Sequence, residues 1–363
     1  MIMNKNIKQE QYNIRAGQYD FLRGVLIIMV VIGHATFLSA VTPFGGINYY
    51  QLMEINNISD SAFHRIVCYI TDWIYTFHMP VFMALSGTIY GLSRKCGKYK
   101  EFCPYLKQKY LRLVHPMLIV WMFYNFPIKL FTGYYNNEEW YKIFIQILCP
   151  SNVYLWFLES LFIIHILIWV MDKFLDKKAK NLSIVLLWIV GVVIFRKLGR
   201  YHLLGDPLYY LLWFYIGIHI EDLRIWLERK NILKRSTIVI LFFVDMVCFV
   251  VYEICSNKFI EAGLKYLVFP FLMVIILYFI INHYKVKNNR IIQFLSSYGM
   301  GIYLYAEPLN YLLLYLFFTW FGVHVFVSEP GTLLLYLLRV FMTPLVAVGI
   351  TWILKKLDLK YLY

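Results

Sequence analysis

Hydrophobic residues in this chain are grouped into long runs, and polar residues are concentrated between them. Ten runs are long and apolar enough to predict membrane helices: residues 21–39, 71–92, 113–131, 153–171, 182–195, 208–220, 236–255, 264–282, 298–321 and 332–354. Runs such as residues 267–281 lack the alternation of apolar and polar positions that a strand of a membrane barrel needs. At about 20 residues per crossing, the pattern predicts an all-α fold, a polytopic membrane bundle of about ten transmembrane helices.

Composition also favours a membrane protein over a soluble one. Of the 363 residues, 61% are hydrophobic and only 15% are charged, with a mean hydropathy of +0.60, far from the average of soluble domains. The segments between the runs are too short to bury cores of their own, so we expect residues 1–363 to form a single membrane domain. The six Cys residues show neither CxxC pairs nor metal-ligand spacing, so no metal site is expected.

Positive charge is distributed unevenly among the segments that connect the runs. Of the 35 Lys and Arg residues, 25 lie in the segments on the same predicted side as the N-terminus, and six lie in the opposite set. Since cytoplasmic loops are enriched in Lys and Arg, both termini are predicted to be cytoplasmic. This topology accounts for most of the net charge of +14 without a nucleic-acid partner.

Two ionisable residues share one face of the first predicted helix. Arg23 lies near its inner end, and His34 lies eleven residues later, near its outer end. At about 100° per residue this separation is close to three full turns, which places the two side chains about 16 Å apart along the axis. Charged groups inside a membrane are costly and often mark function, so we expect that one ligand contacts both residues.

His78 and Glu159 are predicted at a depth similar to that of His34. A layer of two imidazoles and a carboxylate inside a membrane indicates proton transfer. Two alternatives stay open, since the His78 imidazole could satisfy a carbonyl freed by Pro80, and Glu159 could pair with a cation such as Arg339. In the same helix as His78, Ser86-Gly87 is more typical of a helix-packing notch than of a catalytic serine.

Cations recur at the cytoplasmic entry of the third predicted helix. Lys109 and Arg112 precede Pro116 and suit phosphate groups, although they could simply follow the excess of positive charge on the inner side. A phosphate-rich carrier held by these cations and Arg23, with its reactive end near His34, fits acetyl-CoA. Its pantetheine arm is comparable in length to the separation of about 16 Å along the first helix.

Five segments resemble the acyltransferase-3 family of integral membrane acyltransferases, in order and spacing over nearly the whole chain. They are DFLRGVLIIMVVIGHA with Arg23 and His34, FHMPVFMALSG at 77–87, the basic residues before Pro116, LWFL at 155–158 and SYGMGIYLYAEPL at 297–309. This family includes bacterial polysaccharide and sugar O-acetyltransferases, and the chain loosely resembles its fucose 4-O-acetylase-like branch. Relatives often carry a His in the last segment, where this chain has Ala306 and Glu307.

The resemblance implies a ten-helix bundle in the bacterial inner or plasma membrane. It implies a cytoplasmic acyl-CoA donor, usually acetyl-CoA, and an acceptor hydroxyl on a cell-envelope glycan or lipid-linked sugar. His34 is implied to be essential, and no permanently bound cofactor is expected. We assign Trp156 and Glu307 to substrate binding.

These observations predict an O-acetyltransferase. Arg23, Lys109 and Arg112 are expected to hold acetyl-CoA, while His34 acts as a general base or accepts the acetyl group itself. Glu159 or His78 is expected to orient the His34 imidazole. Two alternatives remain: a proton-coupled transporter or exporter of a lipid-linked sugar, and an envelope-assembly subunit without chemistry.

Overall fold

The computed structural model describes most of the chain. The described residues are 2–39, 47–135, 139–141, 143–144, 154–197, 204–230, 232, 234–283, 290–359 and 361–363. They form helices and turns, and this described part of the chain contains no strand. The predicted all-α fold is therefore confirmed.

The main helices are numbered here in chain order. They are α1 (Ile2–Thr36), α2 (Tyr49–Ile55), α3 (Ala62–Lys95), α4 (Phe102–Phe131), α5 (Trp156–Phe174), α6 (Lys177–Lys197), α7 (Gly205–Arg229), α8 (Arg235–Ile254), α9 (Lys258–Gly263, Leu264–Val268 and Phe269–His283), α10 (Arg290–Phe326) and α11 (Glu329–Lys356). Each of the ten predicted apolar runs falls on one of these helices. Position 153, where the fourth run was expected to begin, lies outside the described residues.

Within the described part of the chain, six helices have both the length and the hydropathy of a membrane span. They are Gln18–Thr36, Phe102–Phe131, Arg235–Ile254, Lys258–Ile281, Gln293–Phe326 and Glu329–Lys356. The chain is therefore a polytopic helical membrane protein. The count of ten crossings and the cytoplasmic side of the termini remain predictions.

Among the described residues, three wide π-helical turns interrupt the regular helices, and each has a proline two residues after its end. The turns are Tyr110–Val114 and Trp121–Asn125 in α4, and Leu264–Val268 in α9. Pro116, Pro127 and Pro270 follow them. Because proline has no N–H to donate, the preceding turn loses a regular hydrogen bond, and widening of the helix is one way to adapt.

Two compact units can be distinguished within the chain. The first comprises Met1–Leu26, Tyr75–Tyr110 and Glu159–Ser296, and the second comprises Ile27–Ile74, Leu111–Leu158 and Ser297–Tyr363. The prediction of one domain over residues 1–363 stays a prediction.

In the first unit, α3 and α7 approach each other through glycines. A Cβ atom on Gly87 would lie 1.9 Å from the Phe214 carbonyl oxygen, and one on Gly217 would lie 1.9 Å from that of Ala84. The Thr88 hydroxyl donates to the Gly217 carbonyl at 3.0 Å. Small residues that let helix backbones meet are typical of membrane bundles, so the predicted packing notch at Gly87 is confirmed.

In the second unit, a proline inside α10 determines the packing of the neighbouring chain. Pro308 cannot donate to the Leu304 carbonyl, and the Tyr154 hydroxyl donates to that oxygen instead, at 2.6 Å. One residue later, the Tyr305 carbonyl accepts from the Tyr124 hydroxyl of α4 at 3.3 Å. These bonds hold α4 and the segment before α5 against the middle of α10.

Replacing Gly217 with Ala should destabilise the protein, because the added methyl group would overlap the α3 backbone. Overpacking of this kind costs about 1–3 kcal/mol, and thermal unfolding of the purified protein in detergent should show a lower midpoint. Gly349→Ala is the matched control, since no atom lies within 4 Å of its new Cβ. Equal midpoints for the two variants would contradict this account of the α3–α7 contact.

Candidate functional site

His34 and Glu307 form a direct contact in the second unit. The His34 Nδ1 atom lies 2.7 Å from Glu307 Oε2, and both side chains are largely shielded, with 25% and 15% of their surfaces exposed. His34 lies in the last turn of α1, and Glu307 lies immediately before Pro308 in α10. We call these two residues the His34–Glu307 pair.

The next turn of α10 supports the Glu307 carboxylate. Asn310, one turn after Glu307, donates from Nδ2 to Glu307 Oε2 at 3.3 Å. The other side of the same amide, Asn310 Oδ1, accepts from Arg339 Nε of α11 at 3.0 Å. Both Asn310 and Arg339 are buried, so Glu307 belongs to a hydrogen-bonded network rather than standing alone among apolar side chains.

Arg339 also caps the end of α1. Its guanidinium donates to the carbonyl oxygens of His34 at 2.9 Å, Ala35 at 3.1 Å and Phe37 at 2.6 Å. The last carbonyls of a helix have no helical partners, and a cation is favourable at this end of the helix dipole. Arg339 therefore fixes the backbone of His34 while it supports Glu307 through Asn310.

This geometry selects a protonation pattern for the imidazole. A carboxylate can only accept at Nδ1, so the proton of neutral His34 lies on Nδ1 and donates to Glu307. The Nε2 atom then carries the lone pair. A His oriented by a carboxylate in this way can take a proton from a hydroxyl, and the carboxylate stabilises the imidazolium that forms.

Arg23, the first predicted donor-binding cation, is bonded within the first unit. Its guanidinium donates to Asp20 Oδ1 at 2.8 Å and to Ser296 Oγ at 2.9 Å, and the Ser296 hydroxyl donates to the same carboxylate oxygen at 2.9 Å. About 29% of the Arg23 side chain is exposed. Arg23 is thus anchored between α1 and α10, with part of its surface open to a ligand.

The other two predicted donor-binding cations lie in α4. The Lys109 ammonium, in the first unit, lies 5.2 Å from the centre of the Tyr99 ring and 5.7 Å from that of Tyr105. Arg112, in the second unit, is exposed on the π-helical turn Tyr110–Val114. Their predicted role in holding acetyl-CoA stays a prediction.

The remaining predicted site residues lie on α3 and at the start of α5. His78 is buried in the first unit with its ring 4.7 Å from that of Tyr75, and Glu159 lies in the first turn of α5. Trp156 begins α5 in the second unit and is 7% exposed. The carboxylate in contact with His34 is that of Glu307, which the sequence analysis assigned to substrate binding, and this assignment also stays a prediction. The roles expected for Glu159, His78 and Trp156 remain predictions.

Sequence reasoning missed the network behind the pair. Asn310 was not singled out, and Arg339 was considered only as a partner for Glu159. The available signal was the charge of Arg339 within the apolar run 332–354, because an unexplained cation inside a membrane helix usually has a specific polar partner.

Comparison with known proteins identifies the family. The family model described as an acyltransferase domain, of the acyltransferase-3 type, matches residues 17–354, and the chain belongs to this family. The fold and the family together define a membrane acyltransferase.

The chain is also similar to one individual protein, nodulation protein NolL of Mesorhizobium japonicum. It is 29% identical over 186 residues, which cover 49% of this chain and 40% of that protein. The chain thus matches less than half of its relative's length. No solved structure matches the chain.

Replacing Arg339 with Lys should lower the stability of the second unit. A lysine keeps the charge, but it lacks the planar set of N–H donors with which the guanidinium reaches both Asn310 and the α1 carbonyl oxygens. Each buried polar group left without a partner costs about 1–3 kcal/mol, so the thermal unfolding midpoint in detergent should fall clearly. Arg290→Lys, at an exposed position that begins α10, should leave the midpoint unchanged. A midpoint for Arg339→Lys equal to that of the control would refute the capping role.

Proposed function

We propose that this protein is a membrane O-acetyltransferase that moves the acetyl group of acetyl-CoA to a hydroxyl of a cell-envelope glycan or a lipid-linked sugar. The observation that supports this function best is the 2.7 Å contact between His34 Nδ1 and Glu307 Oε2 in a chain of the acyltransferase-3 family. An oriented imidazole is the group that acyl transfer to a hydroxyl requires.

In the proposed reaction, His34 Nε2 removes the proton of the acceptor hydroxyl. The hydroxyl oxygen attacks the thioester carbonyl, a C–O bond forms, and the C–S bond breaks. The departing thiolate of CoA takes the proton from the His34 imidazolium, so the products are the acetyl ester and CoA thiol. Glu307 stays ionised and stabilises the imidazolium between the two proton transfers.

A two-step route uses the same residues. His34 Nε2 would attack the thioester carbonyl and the C–S bond would break, giving CoA thiolate and an acetyl-imidazolium whose Nδ1 proton is held by Glu307. The acceptor hydroxyl would then displace the neutral imidazole, and its proton would pass to the thiolate, giving the acetyl ester and CoA thiol. In both routes Glu307 holds the imidazole in one orientation. The two routes differ in whether acetyl-labelled protein accumulates when no acceptor is present.

The proposed donor site uses the cations singled out in the sequence. Arg23, Lys109 and Arg112 would bind the phosphates of acetyl-CoA from the cytoplasm, since guanidinium and ammonium groups are the usual phosphate ligands. The proposed setting is the bacterial inner or plasma membrane, where the acceptor glycan and membrane lipids are the other partners.

His34→Ala and Glu307→Gln should reduce acetyl transfer without preventing folding. Removal of a general base typically costs about 10²–10⁴-fold in rate, and Glu307→Gln removes the charge that stabilises the imidazolium. The measurement is hydrolysis and transfer of radiolabelled acetyl-CoA by the purified protein in detergent. Binding of acetyl-CoA, followed by equilibrium dialysis, should be nearly unchanged in both variants.

The matched control is His219→Ala, at a half-exposed His of α7. It should retain wild-type turnover. A fully active His34→Ala variant would rule out both routes, and a wild-type protein that does not bind acetyl-CoA would favour the transporter alternative, because a transporter has no use for this donor.

Arg23→Ala should weaken the binding of acetyl-CoA and leave turnover at saturating donor largely intact. The loss of one charge-assisted phosphate contact should raise the dissociation constant by about tenfold. Ser296→Ala is the matched control, since it removes a partner of Arg23 but leaves the guanidinium in place. If both variants lose affinity equally, Arg23 has a structural role at the α1–α10 contact instead.

A further inference from the structure

Three polar side chains line one face of the second half of α4. Trp121, Asn125 and Lys129 are spaced four residues apart, which places them along one side of the helix. All three are buried, with relative exposures of 1%, 0% and 0%. We call them the α4 polar row.

The polar atoms of this row lack hydrogen-bond partners among the residues that the structure describes. They are Trp121 Nε1, Asn125 Nδ2, Asn125 Oδ1 and Lys129 Nζ. Buried polar groups in proteins are nearly always satisfied, and an unsatisfied amide or ammonium is costly. Three such residues on one face indicate that a polar molecule occupies this position in the working protein.

Aromatic rings surround the ammonium at the end of the row. Lys129 Nζ lies 3.9 Å from the centre of the Tyr134 ring, 5.2 Å from that of Tyr311 and 5.6 Å from that of Trp121. These rings hold the cation by cation–π attraction.

The row lies beside the His34–Glu307 pair. Tyr311 follows Glu307 by four residues, one turn along α10, so the two side chains are neighbours on that helix. Lys129 Nζ lies 5.2 Å from the centre of the Tyr311 ring, so Tyr311 borders both the row and the Glu307 carboxylate. A molecule bound at the row would therefore be close to the imidazole that Glu307 contacts.

The hydrogen-bonding pattern of the row restricts the class of its ligand. An acyl chain would leave every polar atom unsatisfied. A phosphate or carboxylate would suit Lys129 but offers no donor to Asn125 Oδ1, and Glu307 would repel it. The hydroxyls of a sugar both donate and accept, and the C–H faces of a sugar ring pack against aromatic rings such as those of Trp121 and Tyr134.

We propose that the α4 polar row is the subsite that binds the sugar ring of the acceptor, with Asn125 and Lys129 hydrogen-bonded to hydroxyls next to the one that is acetylated. This assignment rests on the proposed function. The π-helical turn Trp121–Asn125, which brings a tryptophan and an asparagine to the same face, fits the frequent use of such turns at binding sites.

The test measures binding of a neutral sugar directly, in the full-length protein purified in detergent. The probes are the octyl glycosides of fucose, rhamnose, glucose and N-acetylglucosamine, and acetyl-CoA binding is measured in parallel. The variants are Asn125→Leu and Lys129→Met, which keep the approximate side-chain size and remove the polar atoms, and Trp121→Phe, which removes the indole N–H but is smaller.

The wild-type protein should bind at least one glycoside, and each variant should bind it about tenfold more weakly or worse, with unchanged affinity for acetyl-CoA. Because Asn125→Leu and Lys129→Met replace unsatisfied polar groups by apolar ones, the thermal midpoints of these two variants should equal or exceed that of the wild type. Trp121→Phe leaves a cavity, so this variant is judged by glycoside binding alone. Lys356→Met is the matched control. Lys356 also contacts a ring, 3.9 Å from the centre of Trp352, but is exposed, and its replacement should change neither measurement.

Two results would overturn the assignment. The first is a wild-type protein that binds none of the glycosides. The second is variants that bind a glycoside as tightly as the wild type does, which would mean that water alone satisfies the row. Failure of the proposed function would give a different result. The wild-type protein would then not bind acetyl-CoA, whereas its binding of the glycosides would still test the α4 polar row.

Discussion

A carbonyl oxygen that loses its helical partner inside a membrane must find another donor, because lipid supplies none. Several polar contacts in this protein meet this requirement. The Tyr154 hydroxyl donates to the carbonyl freed by Pro308, and the Tyr209 hydroxyl donates to the Tyr266 carbonyl freed by Pro270. Arg339 does the same for the last carbonyl oxygens of α1.

The candidate site lies where the regular hydrogen bonding of the helices is interrupted. Glu307 directly precedes Pro308, and His34 is two residues before the end of α1. At such positions the backbone carbonyl oxygens accept hydrogen bonds from side chains of other segments, and these bonds fix the position of the neighbouring side chains. This explains how two helices far apart in sequence present an imidazole and a carboxylate to each other at 2.7 Å.

The helices were predictable from sequence because long apolar runs have few other stable forms in a membrane. His34 and Glu307 were both singled out, one from its place on the α1 face and the other from its motif. Their contact was not predicted, because the two residues are 273 positions apart in the sequence. A local sequence pattern cannot indicate a pairing over that distance. Asn310 escaped notice because a single amide in a helix carries no periodic signal.

The limits of the predicted runs also differ from the helices for a physical reason. The run 71–92 covers only the apolar middle of α3, which extends from Ala62 to Lys95. Hydropathy detects the part that lipid or apolar neighbours surround. It does not detect helical turns such as the first turn of α3, where the N–H groups of Ala62 and Phe63 donate to the Glu329 carboxylate.

Arg339 links the two members of the pair, since it binds the His34 carbonyl directly and reaches Glu307 through Asn310. Residues that share one hydrogen-bond network do not contribute independently to stability. A replacement at any of these four positions therefore changes which residues are tolerated at the other three. Over evolutionary time the four positions should change together or not at all. Amino-acid replacements should be more frequent on the lipid-facing surfaces of the same helices.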